Sequence, residues 1–369
     1  MNENISVIGV GKLGLCFSLT LEEVGYNVLG LDINQGYVNI LNNKTFTTNE
    51  PGVDEKLRAS VNFKATTDLK STVNYSDVLF VVVSTPSLTN GRYDHSQVDK
   101  LCMGLEELGT QDTHKHLVIC CTVMPGYTDV VTERLGDLNY TVSYNPEFIA
   151  HGTILCDQSQ PDMVLIGEGS KEAGDVIEKI YERHTTNEPQ ICRMNPIEAE
   201  ITKISLNCFL TTKIAFANMI GDIVINSGGN PDIVLGAIGS DTRVNYKYLR
   251  YGFGYGGPCF PRDNRALAIY ADDIGCPAEI SKATDKSNEL HLEEQVKIFQ
   301  KENTNKENSI EIDGATYKKG SDILEESQQL KYAIKLSTLG FDVIIHESET
   351  IVDILKDKYD NLFSYKIRR

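Results

Sequence analysis

Residues 5–14, ISVIGVGKLG, begin as an apolar strand and continue into three glycines with the spacing G-x-G-x-x-G. Gly9 permits a tight turn, Gly11 lets a phosphate approach the backbone, and Gly14 allows the following helix to pack against the strand. The N-terminus of that helix offers N–H groups to an anion. This order of strand, glycines and helix predicts a dinucleotide-binding loop.

A carboxylate ends the second predicted strand. Asp32 comes directly after Val28 to Leu31 and eighteen residues after Gly14. At that place a carboxylate binds a ribose 2′-hydroxyl and repels the additional phosphate of NADP. The sequence therefore predicts NAD as the cofactor, although a glycine-rich turn in an unrelated α/β fold remains the simpler alternative.

Strand and helix patterns alternate outward from this loop to about residue 195. Continuous apolar runs are typical of parallel strands that are buried on both faces. The alternation predicts an α/β fold with a Rossmann-type doubly wound domain over residues 1–195. The predicted strands are Ile5 to Ile8, Val28 to Leu31, Val78 to Val83, Leu117 to Cys121, Val142 to Tyr144 and Met163 to Ile166.

The rest of the chain divides into two further predicted regions. Residues 196–300 begin with a long helix that starts at Pro196 and stops before Gly228-Gly229, and this region is expected to be helical. After a polar linker, residues 308–369 return to strand–helix–strand, which predicts a second, smaller α/β domain.

The composition is that of a globular protein, with 369 residues, 41% of them hydrophobic, and a formal net charge of -17. Such a charge argues against nucleic-acid or membrane surfaces as partners. We expect a cytoplasmic protein, because no secretory signal and no membrane-spanning run is recognised. Nine cysteines without C-x-x-C spacing predict neither a disulfide framework nor a metal site. Buried small hydrophobes best explain Cys16, Cys120, Cys121 and Cys208.

Cys259 lies in a different setting, the rigid loop 254–263, GYGGPCFPRD. The two prolines restrict its backbone, and the glycines are expected to let a ligand approach. A helix predicted over Asn264 to Ile274 follows, and a nearby helix N-terminus favours the thiolate. Taken alone, a loop cysteine is more often structural than catalytic.

At this point the chain resembles the UDP-glucose/GDP-mannose dehydrogenase family, whose signature is Gly-Gly-x-Cys-Phe-Pro-Lys-Asp. The resemblance covers nearly the whole chain, with eight motifs in the same order. Besides the Cys259 loop they are the glycine loop with Asp32, Glu50-Pro51-Gly52, Ser84-Thr85-Pro86, Thr122-Val123-Met124-Pro125-Gly126, Asn145-Pro146-Glu147-Phe148, Glu200-x-x-Lys203-x-x-x-Asn207, Arg243, and Lys318-x-Gly-Ser-Asp.

The resemblance implies oxidation of a nucleotide-sugar 6-hydroxyl to a carboxylate, with a thiohemiacetal and then a thioester on Cys259. Lys203 and Asn207, four residues apart on one helix face, would donate to an oxyanion. Glu147 and Asp263 match the positions for proton transfer, and Thr122 matches one that positions a water.

The same resemblance implies the binding residues and a homodimer. The apolar stripe of the helix around Lys203 to Gly221 would pack across a two-fold axis, and the residue matching Arg243 would reach the neighbouring subunit's substrate. NAD contacts are expected at Gly9, Val10, Gly11, Leu13, Gly14, Asp32, Ser84, Thr85, Pro86, Thr122 and Arg262. Substrate contacts are expected at Glu147, Phe148, Lys203, Asn207, Arg243, Tyr248, Gly256, Gly257, Phe260 and Lys318.

Four positions depart from the family's pattern. Glu325 stands where an arginine usually helps to hold the nucleotides, and a carboxylate there would repel a pyrophosphate unless the loop is arranged differently. The last domain also looks shorter than in the family. The other departures are His151 in place of a glutamate, Met163 in place of an arginine, and Arg262 in place of a lysine.

Several alternatives stay open at this point. UDP-glucose is the leading substrate, followed by UDP-N-acetylhexosamines and GDP-mannose. A two-electron dehydrogenase of the β-hydroxyacid type and a nucleotide-sugar-binding protein without turnover are the competing functions. Individually, Lys203 and Arg243 have a simpler explanation as solvated side chains, Glu147 as a helix-start carboxylate, and the apolar stripe as core.

Overall fold

The structure is a computed structural model that describes residues 3–149, 152–304, 306, 308–359 and 362–368. The chain separates into two compact units, Met1–Lys203 and Ile204–Arg369. The second unit contains most of the predicted central region together with the predicted last domain. The division into three domains therefore stays a prediction.

The first unit contains one eight-stranded sheet with the order β3-β2-β1-β4-β5-β6-β7-β8. Its first six positions have the strand order 3-2-1-4-5-6 of dinucleotide-binding folds. The predicted doubly wound domain is confirmed. The strands are β1 (Asn4–Ile8), β2 (Asn27–Leu31), β3 (Phe63–Thr66), β4 (Val78–Val81), β5 (Lys115–Ile119), β6 (Tyr140–Tyr144), β7 (Met163–Gly167) and β8 (Gln190–Met194).

Strand direction and number differ in part from the sequence prediction. β1 to β6 are parallel, whereas β7 pairs with β6 in the antiparallel direction at Tyr144 and Gly167. The sequence prediction missed β3 and β8, because their short runs include charged or exposed residues. Both additions extend the sheet at its edges and leave the order around β1 and β4 unchanged.

The helices of the first unit cover both faces of the sheet. Two clusters of buried apolar side chains lie there, one around Phe17 and Phe80 and the other around Leu105 and Tyr144. Cys16, Cys120 and Cys121 are buried, as predicted. The helices are α1 (Lys12–Glu23), α2 (Gln35–Asn42), α3 (Val53–Ala59), α4 (Leu69–Tyr75), α5 (Ser96–Leu108), α6 (Tyr127–Leu135), α7 (Ile154–Ser159) and α8 (Lys171–His184).

The long predicted helix is confirmed as α9 (Pro196–Asn226), with 31 residues. By length and composition α9 is also apolar enough to cross a membrane, which corrects the expectation that no run reaches that length. This is weak evidence for a span, because a helix of a folded core passes the same test. Glu200 and Lys213 on α9 both bond to protein groups, such as Thr128 and the carbonyl of Val244.

The second unit combines helices with a small parallel sheet in the order β11-β10-β9. Its apolar core includes Leu336, Val343, Ile345 and Leu355, which come from the sheet and the helices beside it. The predicted strand–helix–strand pattern is thus present. The elements are α10 (Pro231–Gly239), α11 (Phe260–Asp273), α12 (Glu279–Glu302), β9 (Ile310–Asp313), α13 (Gln328–Thr338), β10 (Val343–Glu347), α14 (Glu349–Tyr359) and β11 (Ser364–Ile367).

Candidate functional site

The glycine loop has the geometry of a phosphate-binding turn. Gly9 has a φ of +90°, and a Cβ added at Gly14 would lie 1.9 Å from the Gly9 carbonyl oxygen. Gly11 is the N-cap of α1 and has no side-chain cap, and a Cβ added there would meet no atom of the described residues within 4 Å. The N–H groups at the start of α1 therefore face open space, which fits a pyrophosphate.

Neighbouring residues hold this loop in place. The side chain of Val10 is fully buried and packs on Gly30, so Val10 offers a ligand its backbone only. The hydroxyl of Tyr37 donates to the Val10 carbonyl at 2.9 Å. Leu13, in the first turn of α1, is partly buried and packs against the core. Asp32 directly follows β2, and its Oδ1 accepts the N–H of Asn34 at 3.0 Å.

The cofactor preference set by Asp32 is directly testable. Asp32→Asn removes the charge that accepts from a ribose hydroxyl and repels a 2′-phosphate, so we expect kcat/KM for NAD to fall about tenfold or more. Discrimination against NADP should weaken as well. Initial rates with each cofactor measure both effects, with Asp112→Asn as the exposed control. An unchanged ratio of NAD to NADP activity would argue against this role.

Further predicted residues follow β4 and β5, at the same edge of the sheet as the glycine loop. Thr85 is buried, and its hydroxyl donates to the carbonyl oxygen of Thr122 at 2.7 Å. Its side chain therefore links two loops. Ser84 and Pro86 are exposed beside it, and Thr122 is partly buried. Their roles toward NAD stay predictions.

Glu147, Phe148 and Lys203 lie together after β6. The ammonium of Lys203 donates to the carbonyl oxygen of Glu147 at 2.5 Å and lies 4.4 Å from the centroid of the Phe148 ring. Lys203 is only 9% exposed, so the alternative of a solvated surface lysine is wrong. His151 lies outside the described residues, and Met163 is a partly buried residue of β7.

The carboxyl group of Glu147 has a strongly altered acidity. Burial raises its pKa to about 7, while the positive charge of Lys203 and a hydrogen bond with Gln158 act in the opposite direction. A carboxyl group with a pKa near neutrality exchanges protons readily at physiological pH. Glu147 is therefore suited to general acid–base chemistry.

The pH dependence of turnover should report this group. If Glu147 acts as a base it must be ionised, so kcat should rise with pH to a plateau above a midpoint near pH 7. Below that midpoint kcat should fall about tenfold per pH unit. Glu147→Gln should remove this limb, which a kcat–pH profile measures. If kcat of that variant rises with pH at the same midpoint, the titrating group is not Glu147.

In the second unit, Cys259 is the N-cap residue of α11 and its thiol is exposed. The helix begins at Phe260, not at the predicted Asn264, because Pro261 fits the first turn, where no intrahelical N–H bond is needed. The carbonyl oxygen of Cys259 accepts the N–H of Asp263 at 2.9 Å. An exposed thiol at a helix N-terminus is in the setting expected of a nucleophile.

Asp263 and Asn207, two of the predicted catalytic residues, are joined by a hydrogen bond. Its side chain is 1% exposed and accepts from Asn207 Nδ2 at 2.6 Å and from Arg262 Nε at 3.3 Å. One N–H of the Asn207 amide is therefore directed at a carboxylate, which fixes the orientation of the amide. Arg262 contacts the neighbouring carboxylate, and its role toward NAD stays a prediction.

Gly256 and Gly257 pack closely against another part of the second unit, and their predicted contact with the substrate stays a prediction. A Cβ at Gly256 would lie 2.4 Å from the carbonyl oxygen of Glu326, and one at Gly257 would lie 2.5 Å from the ring of Tyr317. Gly257 also has a φ of +80° and donates its N–H to the carbonyl oxygen of Glu325 at 3.0 Å. Close packing against the segment 317–326 thus accounts for both glycines.

Of the remaining predicted substrate residues, Arg243, Tyr248 and Lys318 are exposed, and Phe260 is partly buried. Arg243 is 87% exposed in its side chain and pairs with Asp241 at 2.7 Å. Tyr248 has a φ of 63°, and its ring meets that of Phe260 edge to face with centroids 6.3 Å apart. Lys318 lies exposed in a loop. These side chains are accessible to a ligand.

The profile of the NAD binding domain of one enzyme family matches residues 3–185, and the profile of its central domain matches residues 197–290. A GDP-mannose 6-dehydrogenase of Pseudomonas savastanoi pv. phaseolicola is 30% identical over 358 residues, or 93% of this chain and 80% of that protein. This chain belongs to the UDP-glucose/GDP-mannose dehydrogenase family. Its first unit contains the NAD-binding domain, and its cofactor is NAD.

Relatives that are named for UDP-glucose reach the same sequence identity to this nucleotide-sugar dehydrogenase as those named for GDP-mannose. A UDP-glucose 6-dehydrogenase of Pseudomonas aeruginosa is 30% identical over 359 residues, which are 93% of this chain and 78% of that protein. The solved structure of a UDP-glucose dehydrogenase from Pyrobaculum islandicum has a TM-score of 0.88 and 27% identity, covering 98% of this chain and 85% of that one.

The structure gives no explanation for a glutamate at position 325 of this dehydrogenase, but it shows how the backbone there is used. The Glu325 side chain is exposed, and its backbone carbonyl holds Gly257. The next residue, Glu326, pairs instead with Arg265 at 2.8 Å and with Lys331. The segment thus supports the Cys259 loop through its backbone and keeps the Glu326 charge neutralised.

A polar face of α12, which sequence reasoning missed, holds the other end of the Cys259 loop. The Asn288 amide accepts the N–H of Tyr255 and donates to the Tyr255 carbonyl, both at 2.9 Å. His291 and Gln295, further along α12, bond to the carbonyl oxygen of Gly252. The sequence shows these residues at helical spacing, but it carries no signal of their partners.

Removing the Asn288 amide should destabilise the second unit. Asn288→Ala leaves two buried backbone groups of Tyr255 without their partners, which costs about 1–3 kcal/mol for each group. Asn288→Asp keeps the acceptor and should cost less. Thermal unfolding of both variants measures the difference. Equal midpoints for Asn288→Ala and the parent would contradict the assigned role.

Proposed function

We propose that this chain is a UDP-glucose 6-dehydrogenase that oxidises UDP-glucose to UDP-glucuronate. The observation that carries the proposal is the exposed Cys259 thiol at the start of α11, beside the buried Asp263 and its partner Asn207. The solved UDP-glucose dehydrogenase described above supports this sugar nucleotide, and the curated relatives support GDP-mannose as the second candidate.

The proposed chemistry consists of two successive oxidations and assigns a role to each of the predicted groups. The glycine loop and Asp32 would hold NAD, which would supply the hydride acceptor for each oxidation. After the first oxidation the Cys259 thiolate adds to the aldehyde carbon and forms a thiohemiacetal. Loss of the second hydride from that carbon leaves a thioester on Cys259. Holding the sugar covalently prevents escape of the aldehyde.

Hydrolysis completes the reaction. Water adds to the acyl carbon, the carbon–sulfur bond breaks, and the thiolate of Cys259 leaves with its electron pair. Glu147 takes a proton from the water, for which a pKa near 7 is suited. Lys203 and Asn207 donate to the negative oxygen that develops at the reacting carbon. Overall, one hydroxymethyl group and one water yield one carboxylate, two hydrides and three protons.

We also propose a cytoplasmic homodimer that contacts neither nucleic acid nor membrane. The support is a row of exposed apolar side chains on α9 at spacings of seven, three and four residues, which places them on one helix face. They are Phe209 (62% exposed), Phe216 (41%), Met219 (42%) and Ile223 (56%). Light scattering should give twice the mass of the chain, and Phe216→Lys should reduce it. A monomeric parent protein would reject the dimer.

A substrate panel tests the function. Purified protein is mixed with NAD and, separately, with UDP-glucose, UDP-N-acetylglucosamine, UDP-N-acetylmannosamine or GDP-mannose. NADH formation is followed by absorbance, and the molecular mass of each product is determined by mass spectrometry. The proposal expects fastest turnover with UDP-glucose and a uronate product. Faster turnover with GDP-mannose would transfer the assignment to that sugar, and binding without NADH would show a protein that has lost turnover.

A further inference from the structure

We propose that Glu200 is a positioning residue whose buried carboxylate fixes the loop Thr122–Gly126 for hydrolysis of the Cys259 thioester. This inference rests on the proposed function and adds a residue to which no role has been assigned. Glu200 touches neither substrate nor cofactor in the proposal. It acts through Thr122, which matches the family position that orients a water.

The contacts of Glu200 are short and numerous. Its side chain is fully buried on α9 and accepts from the N–H of Gly126 at 2.5 Å, from the N–H of Thr128 at 2.8 Å and from the Thr128 hydroxyl at 2.5 Å. Gly126 is the N-cap of α6, has a φ of +90° and brings no side-chain cap. The Glu200 carboxylate therefore supplies the cap that α6 lacks.

Two other hydrogen bonds hold the same loop at residues before Gly126. The Thr85 hydroxyl donates to the Thr122 carbonyl at 2.7 Å, and the N–H of Met124 donates to Nε2 of His95 at 3.2 Å. The loop after β5 is thus fixed at its start, its middle and its end. Among these three anchors, Glu200 is the one that lies on α9.

Its place on α9 connects this loop with the proton-transfer residue. Lys203 lies three residues further on, on the same face of the helix, and donates to the carbonyl of Glu147. One helical turn therefore holds both the Thr122 loop and the Glu147 segment. A shift of Glu200 would change the position of Thr122 relative to Glu147, which is the geometry that a hydrolytic water needs.

The chemistry of a carboxylate explains why this residue type is present. All three partners are donors, and a carboxylate offers only acceptors. A glutamine keeps the shape but directs its NH2 group at an N–H donor, so at least one bond is lost. Glu200→Gln should therefore displace the loop without leaving a cavity.

Glu200→Gln should slow one step of the reaction, the hydrolysis of the thioester. Formation of the thioester releases two hydrides before water is needed, so Glu200→Gln should still give a burst of two NADH per active site. Hydrolysis should then limit turnover, and kcat should fall about 10–100-fold. The protein should gain the mass of the nucleotide-uronyl group on Cys259.

Stopped-flow NADH measurements and intact-protein mass spectrometry on parent, Glu200→Gln and Glu200→Asp test the inference. The exposed Glu198→Gln on the same helix is the matched control and should behave as the parent does. Glu200→Asp, which keeps the charge, should recover part of the hydrolysis rate. A burst with an accumulated adduct in Glu200→Gln supports the role.

Three results would overturn it. A Glu200→Gln variant with parental kcat shows that the loop does not depend on the carboxylate. A variant that slows the burst and the steady state equally, with a lower unfolding midpoint, shows a purely structural role. A parent protein that forms no NADH with any sugar nucleotide contradicts the proposed function itself, and with it the step assigned to Glu200.

Discussion

Cys259→Ser is expected to stop formation of the acid, with a loss of about 10³-fold or more in kcat. A serine hydroxyl is hardly ionised at neutral pH, and an alkoxide leaves an acyl carbon far less readily than a thiolate does. The covalent intermediates therefore form slowly and resolve slowly. The measurement is uronate produced per unit time, determined by product mass.

The control for this variant is Cys276→Ser, which alters another exposed cysteine of the second unit. It should leave kcat unchanged, because Cys276 follows the end of α11 and not its start. Acid formation by Cys259→Ser at the parental rate would remove the covalent step from the mechanism.

Lys203→Met is expected to have the second largest effect, a loss of about 10²–10³-fold in kcat. The substitution removes a donor to the developing oxyanion while keeping a chain that can pack against Phe148. It also removes the positive charge that holds down the pKa of Glu147. The rising limb of the kcat–pH profile should therefore move to higher pH.

A kcat–pH profile of Lys203→Met measures both effects, and the exposed Lys179→Met serves as control. Loss of rate together with an alkaline shift indicates that Lys203 acts on the oxyanion and on Glu147. A variant whose profile keeps the parental midpoint would show that the charge of Lys203 does not lower the pKa of the titrating group. A variant with parental kcat would leave the lysine without a catalytic role.

Much of the first unit could be predicted because its signals are local. The glycine loop and Asp32 follow the ends of β1 and β2, and parallel strands bring their carboxyl ends to one edge. Thr122 and Glu147 follow β5 and β6 in the same way. Residues that are far apart in the chain, but come after neighbouring strands, are thus placed by topology alone.

The partners across long sequence separations could not be predicted. Glu200 bonds to Thr128, 72 residues earlier, and Asn288 bonds to Tyr255, 33 residues earlier. The spacing of polar residues in the sequence indicates a helix, but it does not indicate which backbone group each side chain contacts. The contacts by which Glu200 and Asn288 hold these loops were therefore missed, although Glu200 lies in a motif that carries the family resemblance.

The second unit shows two further limits of sequence reasoning. Pro261 was treated as loop, yet proline is favoured in the first turn of a helix, so α11 begins at Phe260. Gly256 and Gly257 also lie close to the backbone of Glu326 and the ring of Tyr317, contacts that no pattern in the sequence indicates. A glycine shows that something lies close, but the sequence does not identify it.

The most direct test of the covalent mechanism is the total NADH formed from a limiting amount of UDP-glucose with excess NAD. The mechanism predicts about two NADH per sugar and a uronate as the sole product, with the same ratio for the Cys276→Ser control. One NADH per sugar with an aldehyde or keto product would contradict it, and would identify a two-electron dehydrogenase that has no need of Cys259.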